Sequence, residues 1–144
     1  MTATELAPYG KSLFGEHFKA ITLPENKNFG PACNIGAKVA KSPVLFFLNN
    51  DTLVTPRWAE PLLSALLEND SLGAVGPLLL YTDDTVQHLG VAVGAIGPVH
   101  LYQEFPKDHM VVGKPRELQA LTGAAFMIKK NLFHTCGGFY EEYT

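Results

Sequence analysis

Three short segments of this 144-residue chain carry residue types whose spacing could do chemistry. The first is Asn28-Phe29-Gly30-Pro31-Ala32-Cys33-Asn34-Ile35-Gly36. It sets a glycine turn and two side-chain amides, Asn28 and Asn34, at the start of a helical pattern. Unsatisfied N–H groups and the helix dipole there favour a phosphate or another anion. Asn34, in the first turns, is placed to hydrogen-bond a nucleotide's sugar or base. The same residues equally suit an ordinary capped loop.

The second segment is Leu48-Asn49-Asn50-Asp51-Thr52, which directly follows an unbroken apolar run. In an open α/β sheet ligands gather beyond the C-terminal ends of the strands. A carboxylate delivered there suits a hard divalent cation such as Mg²⁺ or Mn²⁺, which takes one or two carboxylates and completes its shell with substrate phosphates. Asn-Asn-Asp-Thr is also good turn chemistry, and that reading stands beside the metal one. The third segment is Leu121-Thr122-Gly123-Ala124-Ala125-Phe126, followed by Gly137-Gly138-Phe139-Tyr140-Glu141-Glu142. Gly123 and Ala124 allow a ligand or a second backbone to approach closely. Gly137-Gly138 allows a sharp turn at positive φ. No nucleophile–base pair is present in these segments, which excludes the signature of a covalent hydrolase.

The elements that must hold these segments are legible in outline. Residues 1–18 predict a short helix or an irregular lead-in, and Lys19–Leu23 a short strand. Ala32, Ile35, Gly36, Val39 and Ala40 form a helical stripe, with Pro31 in the first turn. Val44–Leu48 shows no alternation and predicts a central strand buried on both faces, as in a parallel sheet. Thr55-Pro56 offers a cap and a first-turn proline for a helix bearing Trp58, Leu62, Ala65 and Leu66; Pro61 calls for a kink or a late start. Gly73–Tyr81 reads as one more strand, and the alternating order implies parallel strands. Beyond it Val86–Val93, Val99–Tyr102, Leu118–Leu121 and Ala124–Ile128 read as strands, and Lys129–Thr135 as a short helix.

Composition narrows the classes. At 47% hydrophobic and 17% charged residues, the chain suits one globular domain. Its apolar runs are too short to span a bilayer, and Met1-Thr2-Ala3-Thr4-Glu5 shows no secretory leader. A net charge of −3 with scattered basic residues argues against nucleic acid as a partner. Two cysteines, Cys33 and Cys136, are too few for a disulfide framework and read as reduced, partly buried thiols of a cytosolic protein.

The run Asn-Phe-Gly-x-Ala-x-Asn-x-Gly and then Leu-Asn-Asn-Asp-Thr resembles the core of glycosyltransferase family 2. The sequel matches too: Val86-Gln87-His88-Leu89-Gly90, Thr122-Gly123-Ala124-Ala125 and Gly137-Gly138-Phe139. The resemblance covers about residues 20–144 and extends to bacterial rhamnosyltransferase-like and other transferases of cell-surface glycans. It implies a GT-A fold: an α/β, Rossmann-related mixed sheet with helices on both faces. Residues 19–81 would form the nucleotide- and metal-binding part and 82–144 the acceptor side of a single domain.

The implied reaction is metal-assisted transfer of a sugar, with inversion, from a nucleotide-diphosphate donor to a hydroxyl of a glycan or lipid-linked acceptor. By resemblance Asp51 ligates Mg²⁺ or Mn²⁺. Asn28, Gly30, Asn34, Asn49, Asn50, Gly123 and Ala124 line the nucleotide-sugar, with Asn49 where the family usually has an acid. His88 and His100 fall where histidine recurs in the resembled group, which places them for acceptor, phosphate or metal contact, although loop or strand histidines without metal-ligand spacing are commonly structural. Asn34 and Asp51 are expected to face one cleft.

The family opens with two strands, the second bearing an Asp that reads the base, and continues after Gly-Gly-Phe to a Glu-Asp pair that supplies the catalytic base. Neither is matched here, and Tyr140 stands where Asp is common. The reading is therefore a partial domain, its base beyond Thr144, inactive or weakly active alone and prone to self-association through an exposed sheet edge. Its location is expected to be cytoplasmic or peripheral at the inner face of the membrane. The alternatives are a non-catalytic nucleotide-sugar or glycan-binding module and, more distantly, a nucleotidyltransferase.

Overall fold

The computed structural model describes residues 3–142 and divides the chain into two compact units, Met1–Ala40 with Gly137–Thr144, and Lys41–Cys136. In the first unit helix α1 spans Ala3–Phe14 and ends in a 3₁₀ turn, Gly15–His17. Gly10 is required on this helix because a Cβ there would meet the Phe18 ring at 2.3 Å. Lys19–Leu23, predicted as a strand, has no regular structure, since no neighbouring backbone pairs with it among the described residues.

Helix α2 covers Phe29–Val39. Pro31 sits in its first turn, where the missing N–H removes no intrahelical bond. The predicted stripe is not the buried face: Ala32, Gly36 and Val39 are exposed, and the helix instead buries Ala37 and, unexpectedly for a polar residue, Asn34. The helix stops at Ala40, whose ψ of 139° is extended, ahead of Pro43.

In the second unit β1 (Val44–Leu48) is the predicted apolar strand. Helix α3 (Ala59–Glu68) starts later than Thr55, because Arg57 turns through positive φ and Pro61 is tolerated only in the first turn. Leu62 and Leu66 share its inner face, with Leu66 fully buried. Asn69 closes the helix with an Asx turn to Ser71, and Lys129 Nζ reaches the carbonyls of Asn69 and Asp70 just past the helix end.

Gly73–Tyr81 is not one strand. It splits into β2 (Ala74–Val75) and β3 (Leu79–Leu80) around Gly76-Pro77, where proline removes a ladder donor. Gly90, at φ 146°, likewise divides Val86–Val93 into β4 (Val86–His88) and β5 (Val91–Gly94). β6 is Gly97–His100, the same length as predicted but beginning two residues earlier and ending before Tyr102, which turns at φ 53°. Leu118–Leu121 contributes only an isolated bridge, Ala120 to Val91. β7 (Ala125–Lys129) runs into helix α4 (Lys130–Thr135).

The main sheet has the order β1-β7-β2, with β7 antiparallel to both neighbours. Two expectations are corrected. Among the described residues every ladder is antiparallel, and β1 is an outer strand rather than the central one. β1 and β2 do run in the same direction, but β7, arriving late in the chain, lies between them. The lack of alternation in β1 is explained by aromatic packing on both faces. Phe47 meets Phe126 and Phe133 at 5.1 and 5.2 Å, while Phe46, pointing the other way, meets Trp58 at 4.7 Å. The remaining strands form two small ladders, β3-β4 and β5-β6.

Candidate active site

In the second unit the register of the main sheet brings two of the chemical segments together. Leu48 pairs with Ala125, so the chain leaving β1 runs beside the chain entering β7. The N–H of Asn49 donates to the carbonyl of Ala124 at 2.8 Å, and a turn closed by Thr52 N–H to Asn49 C=O carries Asn50 and Asp51 outward. Asp51 is exposed, and no described residue forms an ion pair with it. Its placement just past the C-terminal end of a strand is the one the apolar run predicts.

Thr122, Gly123 and Ala124 are half-buried and form a short turn, in which Thr122 Oγ1 accepts the Ala124 N–H at 3.3 Å. His88 holds this turn from below: its Nε2 accepts the N–H of Thr122 at 3.1 Å. His88 is only 3% exposed, and its Nδ1 lies 3.2 Å from Nδ1 of the exposed His100. Burial, and then the charge of His100, push the His88 imidazole below its ordinary value. The Asn49–Asp51 turn, the Thr122–Ala124 turn, His88 and His100 thus form one connected chain of contacts. The alternation of Val86-Gln87-His88, buried, exposed, buried, was the signal in the sequence that His88 points inward.

The first unit gathers the other candidates. Asn34 Nδ2 donates to the Phe139 carbonyl and to Glu141 Oε1, both at 2.8 Å, and its Oδ1 accepts the Phe139 N–H at 2.9 Å. A Cβ on Gly30 would lie 3.0 Å from the Tyr140 carbonyl and 3.2 Å from Phe139 Cβ. Phe29 packs edge-on against Phe139 with centroids 5.2 Å apart. The turn into this segment uses positive φ at Gly137 and Gly138, 86° and 77°. Gly30 and Asn34 therefore clasp the Gly-Gly-Phe segment, a contact between residues far apart in sequence that local spacing does not announce. Asn28 caps α2 at φ 61° without a side-chain cap bond.

Asn34 and Asp51 belong to different units. Of the two cysteines, Cys33 is half-buried and its thiol is pushed up by burial, whereas Cys136, predicted to be partly buried, is exposed just past the end of α4. A hollow of about 590 Å³ lined by Pro43, Val44, Leu67 and the Lys129–Asn131 corner opens at the beginning of β1, the end opposite to Asp51.

Metal fit can be judged from the donor set. Among the described residues no group of three or more His, Cys, Asp or Glu could hold an ion by itself. One open carboxylate with two amides beside it does not make an all-protein cage. It fits a cation that keeps several waters and shares a substrate's phosphate oxygens. No helix among the described residues is long and apolar enough to cross a membrane.

The chain is 34% identical over 125 residues to the O-antigen biosynthesis protein RfbC of Myxococcus xanthus, covering 81% of the chain and 10% of that protein. It is 28% identical over 120 residues to the uncharacterized protein y4gI of Sinorhizobium fredii, covering 79% of the chain and 13% of the relative. The chain thus spans about a tenth of the length of these curated relatives. No solved structure matches it. The sequence model of "Glycosyl transferase family 2" matches residues 2–137, which takes in the Asn28–Gly36 segment, the Asn49–Asp51 turn, His88 and the Thr122–Ala124 turn. With nearly the whole chain inside that match, it belongs to glycosyltransferase family 2.

Proposed function

We propose that the chain forms the donor-binding part of an enzyme that transfers a sugar from a nucleotide diphosphate to a hydroxyl of a glycan or lipid-linked acceptor, with metal assistance and inversion. The observation that carries the reading is the Asn49–Ala124 hydrogen bond, which sets the exposed Asp51 turn beside the Thr122–Ala124 turn. Asp51 would hold Mg²⁺ or Mn²⁺, which supplies charge to offset that developing on the leaving diphosphate. Asn49 and Asn50 present amides to the ribose and phosphate, and Gly123 and Ala124 offer the sugar a floor without bulky side chains. Asn34 enters with its amide already engaged by Phe139 and Glu141, so its contribution is to hold that segment.

The printed name of the Myxococcus relative supports a cell-surface polysaccharide as the destination of the sugar. That chemistry, with a nucleotide-sugar donor, suits a cytoplasmic site or one peripheral at the inner face of the membrane. Self-association is proposed through β1 and β2, the outer strands of the main sheet among the described residues.

Calorimetric titration of the chain with a panel of nucleotide-diphosphate sugars, with and without Mn²⁺, tests the reading. Binding that needs the cation and is lost in Asp51→Asn is the expected result. Donor binding indifferent to both the cation and Asp51 would overturn the metal-assisted reading.

A further inference from the structure

The two histidines of the site have a proton arrangement that a single donor fixes. A backbone N–H can only donate, so His88 Nε2, 3.1 Å from the Thr122 nitrogen, must be the acceptor and carry no proton. A neutral His88 therefore carries its proton on Nδ1. That proton points at His100 Nδ1, 3.2 Å away, which must in turn accept and leave the His100 proton on Nε2. One proton lies between the two rings. Adding a second, on either ring, either sets two N–H groups against each other or removes the acceptor for Thr122.

We propose that His88 is the positioning residue of the donor-sugar floor: held as the Nδ1–H tautomer by His100, it fixes the Thr122-Gly123-Ala124 turn through the Thr122 N–H. The proposal rests on the reading of that turn as the donor floor. His88 suits the task because it is buried and has both ring nitrogens engaged within the protein, which leaves neither for a ligand. It is therefore not the acceptor or phosphate contact that the resemblance implied. His100, on the outer strand of the β5-β6 ladder and exposed, is the member that meets solvent.

The surroundings leave the pair electrostatically simple. The ladder neighbour of His88 on β3 is Leu79, and the turn above it contributes Thr122, Gly123 and Ala124, none of which titrates. His100, on β6, is the titratable group that faces it. An added proton on the pair either breaks the contact between the rings or removes the acceptor for Thr122, so acidification loosens the floor.

Imidazole ¹⁵N–¹H correlation spectra of the labelled chain, followed from about pH 7.5 down to about pH 5.5 across the histidine range, test this directly. At the upper pH His88 should show a protonated Nδ1 and a bare Nε2. The Thr122 amide should shift in step with the pair on acidification. His100→Asn, whose carbonyl keeps an acceptor, should preserve the tautomer and the Thr122 amide position at the upper pH. His100→Phe, which removes the acceptor, should lose both. A proton on Nε2 at the upper pH, a Thr122 amide unmoved through the titration, or a His100→Phe spectrum like that of the parent would overturn the proposal. These signals do not depend on donor. A failure to bind any nucleotide-sugar with the signature intact counts against the transferase reading and leaves the tautomer and its hold on Thr122 standing.

Discussion

The Asn49 N–H and the Ala124 carbonyl meet at 2.8 Å where β1 ends and β7 begins. That bond joins two motifs that lie far apart in the sequence, and it is a backbone contact, so it does not depend on the side chain at either position. Substitution of Asn49 or Ala124 should therefore leave the juxtaposition in place and change only what is presented to a ligand.

Asp51→Ala is the sharpest test of the metal role. The side chain is exposed and outside any ion pair of the described residues, so stability should change by no more than about 0.5 kcal/mol. Mn²⁺-dependent donor binding should fall at least about tenfold, the loss expected when a chain contributing one carboxylate to a shared site gives it up. Parallel urea melts and calorimetry separate the two effects.

Asn34→Ala should behave in the opposite way. It removes the hydrogen bonds that Asn34 makes to the Phe139 N–H and carbonyl within the first unit, at a cost of about 1–3 kcal/mol. Loss of stability of that size, read from denaturant midpoints, is expected in the absence of any donor. An unchanged midpoint would show that the clasp contributes nothing.

The glycines of α2 make a contrasting pair. Gly30→Ala forces a methyl to 3.0 Å from the Tyr140 carbonyl and should cost about 1–3 kcal/mol. Gly36→Ala meets nothing within 4 Å and should stabilise the helix by about 0.5–1 kcal/mol. Melting temperatures of the two variants should move in opposite directions.

Acid should weaken the second unit. Burial, then His100, hold the folded-state value of His88 below its ordinary 6.5, so the unfolded chain binds the proton more readily. The stabilisation is complete above that ordinary value and is lost as the pH falls from it through the lowered folded-state value. Urea midpoints taken across this window should decline in the parent and decline less in His88→Gln.

How far the sequence foretold all this depends on the range of the physics involved. Val44–Leu48 was legible as an unbroken apolar run and the Phe29–Val39 helix as an element, but not the face that the helix buries, which its small residues leave undecided. The start of α3 near Pro61 was legible because proline constrains its own backbone. Strand direction was not, since an apolar run reads the same beside a parallel or an antiparallel neighbour. The breaks at Gly76-Pro77 and Gly90 were passed over because the apolar character continues across them. Asp51 and the Thr122–Ala124 turn came through as candidates from their chemistry. The grip of Asn34 on Phe139 and Glu141 did not, because a buried amide declares its partner only in three dimensions.

The position of β7 between β1 and β2 has a consequence for how the chain is made. A ribosome releases β1, α3 and β2 well before β7, and until then the two earlier strands share no ladder. The nascent second unit must wait with Phe47 uncovered by Phe126 and Phe133, and the sheet forms in one late insertion rather than strand by strand. Such long-separated pairing slows folding and lengthens exposure to aggregation. The main sheet of the second unit is therefore expected to close only after residues 125–129 have been synthesised.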